Sequence, residues 1–117
     1  MMIQTTVGVP MDAIILENYF RALINLFFKI LPIWESGEGS LETYMRSLQA
    51  ELIGCKELVE AIHDDPQFLS LISILQYLID HPSLKAPTVK REVFRSISIC
   101  NKLKERYATT PQKEVAR

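Results

Sequence analysis

Glycine is scarce in this chain, with four in 117 residues, too few for a turn-rich β architecture. Cysteine is scarcer. Cys55 and Cys100 lie far apart inside apolar, helix-patterned runs, which reads as two free thiols in a reducing compartment rather than a disulfide framework. The opening MMIQTTVGVP has neither a basic start nor a long apolar run, so it does not read as a secretory signal. A long uncharged apolar run is also missing. Residues 13–34 come nearest, but Glu17, Asn18, Arg21, Asn25 and Lys29 interrupt them and Pro32 stands near their end, whereas a spanning helix needs about 20 largely uncharged residues. Glycine-rich phosphate loops and G-x-S-x-G elbows are absent, which removes the commonest nucleotide-binding and serine-hydrolase signatures.

What remains is an ordinary globular composition, 48% apolar and 23% charged, in a length that suits one domain. A chain of this size buries one modest core without metal or disulfide staples. The expected organisation is an N-terminal extension over 1–10, a single helical domain over 11–107 and a polar tail over 108–117, and no internal repeat is visible.

Helical periodicity dominates. The first helix is expected over 12–31, with Asp12 as N-cap and Pro32 as terminator. Glu17, Arg21, Asn25 and Lys29 form a narrow polar stripe, and the remaining surface is apolar. Residues 32–39 are expected as a turn anchored by Trp34. Ser40 should cap a second helix with Glu42 in its first turn. Its apolar stripe, from Leu41 through Tyr44, Met45, Leu48, Leu52 and Cys55 to Leu58, Val59 and Ile62, holds helical spacing for about six turns. Gly54 inside that stripe is expected to mark a close helix approach. Asp65-Pro66 reads as an N-cap with proline at the first helical position, opening a third helix that ends near Asp80. A loop over 81–87 leads to Thr88, expected to cap a fourth helix ending near Tyr107. The fold expected is all-α, a compact antiparallel four-helix bundle.

Charge is divided unevenly. Residues 1–83 carry four basic and eleven acidic side chains, a net of −7, and residues 84–117 carry nine basic and three acidic, a net of +6. On the fourth helix Val89, Val93, Ile97, Cys100, Leu103 and Tyr107 form the buried seam. Arg91, Arg95, Lys102 and Arg106 line the opposite side, with Ser98 filling the missing step. Such a ridge is a solvated helix face in the plainest reading, and a surface for an acidic protein or for phosphates in the sharper one. A helix-turn-helix would put Thr88-Val89-Lys90-Arg91 at the start of a recognition helix. The connection from Asp80 to Thr88 is too long for that motif, and the chain as a whole is slightly acidic.

Other candidate sites are thinner. Glu60-Ala61-Ile62-His63 has the Glu-x-x-His spacing of di-metal bundles, but it falls in the last turn before Asp64-Asp65-Pro66, where the helix dipole already accounts for a histidine. His81 reads as a turn constituent. Neither cysteine has a basic neighbour in sequence to activate it. The expectation is therefore a non-enzymatic cytoplasmic protein with no cofactor, no metal and no membrane association. It would act as a small adaptor or regulator that binds a protein partner, with nucleic-acid binding as the alternative. The crowded apolar surface of the first helix further predicts a homodimer through Tyr19, Phe20, Leu23, Phe27 and Trp34.

Overall fold

Pro32 has no N–H to offer the Phe28 carbonyl, and the first helix breaks there. The computed structural model describes residues 2–4, 10–37 and 39–115, with side chains over 14–37 and 39–107. Helix α1 (Ala13–Phe28) is followed after Lys29 by a short helix α2 (Ile30–Ser36). The expected turn over 32–39 is thus helical in its first part. Pro32 sits in the first turn of α2, where backbone N–H groups lack intrahelical partners anyway. Gly37 then ends α2 in the left-handed conformation at φ 72°, donating its N–H to the Trp34 carbonyl at 3.3 Å. Only glycine adopts that geometry freely.

The second predicted helix is also divided. Helix α3 (Leu41–Leu58) stops at Val59, which is extended, and a single turn, α4 (Glu60–His63), follows. The break lets Val59 and Ile62 both reach the core, 2% and 0% exposed, and turns Leu58 out to 53%; Leu58 therefore leaves the stripe predicted for it. Ser40 precedes α3 but makes no side-chain cap. Gly54 marks no close approach, because a Cβ built there would meet nothing within 4 Å.

Helix α5 (Pro66–Asp80) starts as the sequence predicts, the Asp65 carboxylate accepting from the backbone N–H of Gln67 and Phe68 at 2.8 and 3.2 Å. Helix α6 (Ala86–Val115) begins before Thr88, with Pro87 in its first turn, and runs on past Tyr107. At roughly 1.5 Å per residue, this one helix spans most of the 49 Å long axis. Ahead of α1, β1 (Met2–Gln4) and β2 (Pro10–Asp12) pair as a short antiparallel ribbon. Asp12 thus closes a strand and α1 starts at Ala13. Residues 1 and 5–9 of the expected extension, and 116–117 of the tail, lie outside the described residues.

The architecture is otherwise all-helical. Helix α1 packs chiefly along α6, α6 also contacts α5, and α5 contacts α3. Ring pairs fix the α1–α6 register: Phe20 stacks on Tyr107 with centroids 5.9 Å apart, and Phe28 meets Phe94 edge-on at 5.9 Å. Rising numbers on α1 thus meet falling numbers on α6, so the two run antiparallel. Phe68 from α5 closes on Phe20 at 6.1 Å. Among the described residues, no helix is long and apolar enough to cross a membrane.

This packing corrects the predicted self-association set. Phe20, Leu23 and Phe27 are each 0% exposed within one chain, and Tyr19 and Trp34 are half-buried against the same core. Helix α6, with Phe68 from α5 and Tyr44 from α3, already covers the apolar surface of α1.

Candidate interaction surface on the last helix

The buried seam of α6 is as predicted: Val89, Val93, Ile97, Cys100, Leu103 and Tyr107 all lie in the core. Arg91, Arg95, Lys102 and Arg106 are all exposed on the side away from it. Their electrostatic surroundings differ, however. Glu92 is only 7% exposed, and its carboxylate accepts from Arg91 Nε at 3.1 Å and from Arg95 Nη1 at 3.4 Å. Arg106 reaches back to α5, donating to the Asp65 carboxylate and, at 2.6 Å, to Gln67 Oε1. That bond with Asp65 holds the Arg106 guanidinium above its ordinary pKa, against the opposing effect of partial burial. The predicted ridge is therefore one surface in two parts. Arg91 and Arg95 flank a buried acid near the start of α6, and Arg106 braces the start of α5.

Phe94 lies on the flank of α6 that faces α1, one turn after Arg91 and next to Arg95 in sequence. It is 49% exposed, and its partner Phe28 at the end of α1 is 42% exposed. Helical periodicity sets Phe94 between the buried seam and the basic stripe of α6. Its pairing with Phe28 joins residues remote in sequence, and no local pattern carries that information. The edge-to-face arrangement, with planes at 81°, favours the positive ring edge over the negative face. Ile14 is a further exposed apolar residue of α1, at 58%. Ile14, Arg21 and Phe28 are seven residues apart and share one side of the helix, where Arg21 pairs with Glu17 at 2.8 Å.

The remaining candidates are occupied by structural work. His63 donates its Nδ1–H to the Lys56 carbonyl at 3.1 Å, tying α4 back to α3, and Glu60 points to solvent. Among the described residues, no three His, Cys, Asp or Glu side chains gather as a metal cluster. Cys55 and Cys100 are free thiols. Burial pushes the Cys100 thiol up to about 12 and raises Cys55 as well, so the nucleophilic thiolate is suppressed at both. Beside Cys55, the Tyr19 hydroxyl is buried without a well-formed hydrogen bond. Burial first, then the adjacent Cys55 and Glu51, raise its pKa far above the ordinary tyrosine value.

Comparison with known proteins is negative throughout: no family model, curated protein or solved structure matches this chain.

Proposed function

We propose that this chain is a non-enzymatic cytoplasmic interaction module, an antiparallel four-helix bundle whose α1–α6 seam receives an acidic segment of a protein partner. The observation that carries the reading is the Phe28–Phe94 pair, two large rings about half exposed, with Arg91 one helical turn before Phe94 and Arg95 farther round the same helix. Aromatic anchors and arginines dominate binding energetics where they cluster. Each guanidinium has five N–H donors, so Arg91 and Arg95 keep donors for a partner carboxylate while bonded to Glu92. An apolar side chain of the partner would cover the two rings, and its flanking Asp or Glu would meet the arginines. This is the work of an adaptor or regulator.

Affinity capture from the native host, comparing the parent chain with a Phe28→Ser/Phe94→Ser variant, tests the reading. The parent should retain a protein, in near-stoichiometric yield, that the variant loses while keeping its helical circular dichroism. Recovery of the same proteins by both would defeat it.

Phosphates form a second reading of the same arginines. Glu92 under Arg91 and Arg95, and Asp65 on Arg106, set carboxylates against three of the four ridge cations, which opposes a polyanion more than it opposes single partner carboxylates. Homodimer formation through α1 is a further reading, now resting on its outer residues Ile14 and Phe28 in place of Phe20, Leu23 and Phe27. Sedimentation equilibrium distinguishes it, because a monomer at micromolar concentration would remove it.

A further inference from the structure

A cleft of about 340 Å³ opens where α2, the start of α3, the end of α5 and the start of α6 converge. Neither the Phe28–Phe94 pair nor the arginines of α6 line it. Its floor is core: Ile30, Met45, Leu78 and Val89 are 1–5% exposed. Trp34 forms part of its wall, and Gly37 and Gly39 at the mouth present no side chains. The volume sits at the lower end of the roughly 300–1,000 Å³ typical of small-ligand sites.

Among the described residues, the ionisable side chains that line it are those of Glu42 and His81, and both carry acceptors. The His81 ring packs on Tyr77 with centroids 4.6 Å apart and donates its Nδ1–H to the Tyr77 carbonyl at 2.8 Å. A carbonyl can only accept, so in the neutral imidazole Nε2 carries a lone pair. The Glu42 carboxylate accepts from Arg46 Nε at 2.8 Å through one oxygen and has further lone pairs to offer. What complements two acceptors is a donor, and beside a carboxylate the favoured donor is a cationic one. The indole face of Trp34 is likewise attractive to a cation. A ligand carboxylate would meet repulsion at both polar positions.

We infer that this cleft binds a small apolar amine, its hydrocarbon body against Ile30, Met45, Leu78 and Val89 and its ammonium between Glu42 and His81. Trp34 is the single tryptophan of the chain, so its emission reports on the cleft directly. Octylamine, octanol and octanoate share one body and differ in the head group. In titrations of the full chain in mildly alkaline buffer, octylamine should give a saturable change in Trp34 emission. Octanol and octanoate should each bind at least about tenfold more weakly, the loss expected for one charge-assisted contact. Glu42→Gln should weaken octylamine by about two- to fivefold, as the Glu42 side chain is 62% exposed. Gly39→Phe, where a Cβ meets nothing within 4 Å, should close the mouth and abolish the response with the helical signal retained. Octanoate binding as tightly as octylamine, a non-saturating response, or an undiminished response in Gly39→Phe would each overturn the assignment.

Discussion

Asp65 and Arg106 are forty-one positions apart in sequence and joined side chain to side chain. The same Asp65 carboxylate caps α5 through its other oxygen, so one residue starts a helix and ties that start to the middle of α6. Its side chain is 7% exposed while that of Arg106 is 44% exposed, and the cost of losing either partner should differ accordingly. Asp65→Ala removes cap and bridge together and should destabilise by about 2 kcal/mol in urea denaturation. Asp65→Asn keeps the capping oxygen and should cost less. Arg106→Ala, on the solvent side of the pair, should cost under about 1 kcal/mol. Equal losses for the two alanine variants would show that the cap contributes nothing.

Gly54 is exposed on α3 with open space around its α-carbon. Gly54→Ala should raise stability by up to about 1 kcal/mol through the helix propensity of alanine and the reduced freedom of the unfolded chain. Thermal unfolding at a midpoint lower than the parent's would mean that a neighbour occupies this face in solution.

Removing the Tyr19 hydroxyl should also help. The Tyr19 hydroxyl is buried with the weakly hydrogen-bonding Cys55 thiol as its neighbour. A poorly satisfied buried hydroxyl costs up to about 3 kcal/mol, and Phe in its place keeps the edge contact with Phe20 at 5.7 Å. Tyr19→Phe should therefore unfold at a urea concentration equal to or higher than the parent. A clear loss of stability would reveal a hydrogen bond made by that hydroxyl.

Stability should fall on the alkaline side. Cys100 rises from an ordinary 9.0 to about 12 in the folded chain. The unfolded chain therefore releases this proton first, and the folded state holds it longer. Stability present below pH 9.0 should decline progressively toward pH 12, with Tyr19 adding to the decline once unfolded tyrosine begins to ionise. Equilibrium unfolding across this range checks the sign, and Cys100→Ala should flatten part of the slope. In the same samples, a thiol reagent should modify half-buried Cys55 before the fully buried Cys100.

The four longer helices were legible because each carries its own local signal. The seam of α6 repeats every three or four residues from Val89 to Tyr107, and Asp65-Pro66 announces α5. Two breaks were harder. A proline disrupts the helix before it, which marks Pro32 as an end, yet the same residue is compatible with the first turn of a new helix. Val59 has no proline or glycine beside it; its extended backbone is set by the tertiary fit that buries Val59 and Ile62 together. The surface was least legible of all. The basic residues were placed on the correct side of α6, but their carboxylate partner Glu92 and the bridge to Asp65 come from side-chain geometry. The apolar breadth of α1 is visible as a pattern, but whether α6 or a second copy covers it is decided by tertiary packing.

Site-specific photocrosslinking in the native host tests the interaction surface most directly. A photoreactive phenylalanine analogue placed at Phe94 or at Phe28 should give one discrete protein adduct, and the same analogue at Ala50, exposed on α3, should not. An adduct of twice the chain mass would assign the surface to a second copy, and a nuclease-sensitive adduct would assign it to nucleic acid. The account predicts a heterologous protein adduct at both seam positions, weakened when Arg91 and Arg95 are reversed to Glu. No adduct at Phe94 and Phe28, or an equal one at Ala50, would contradict it.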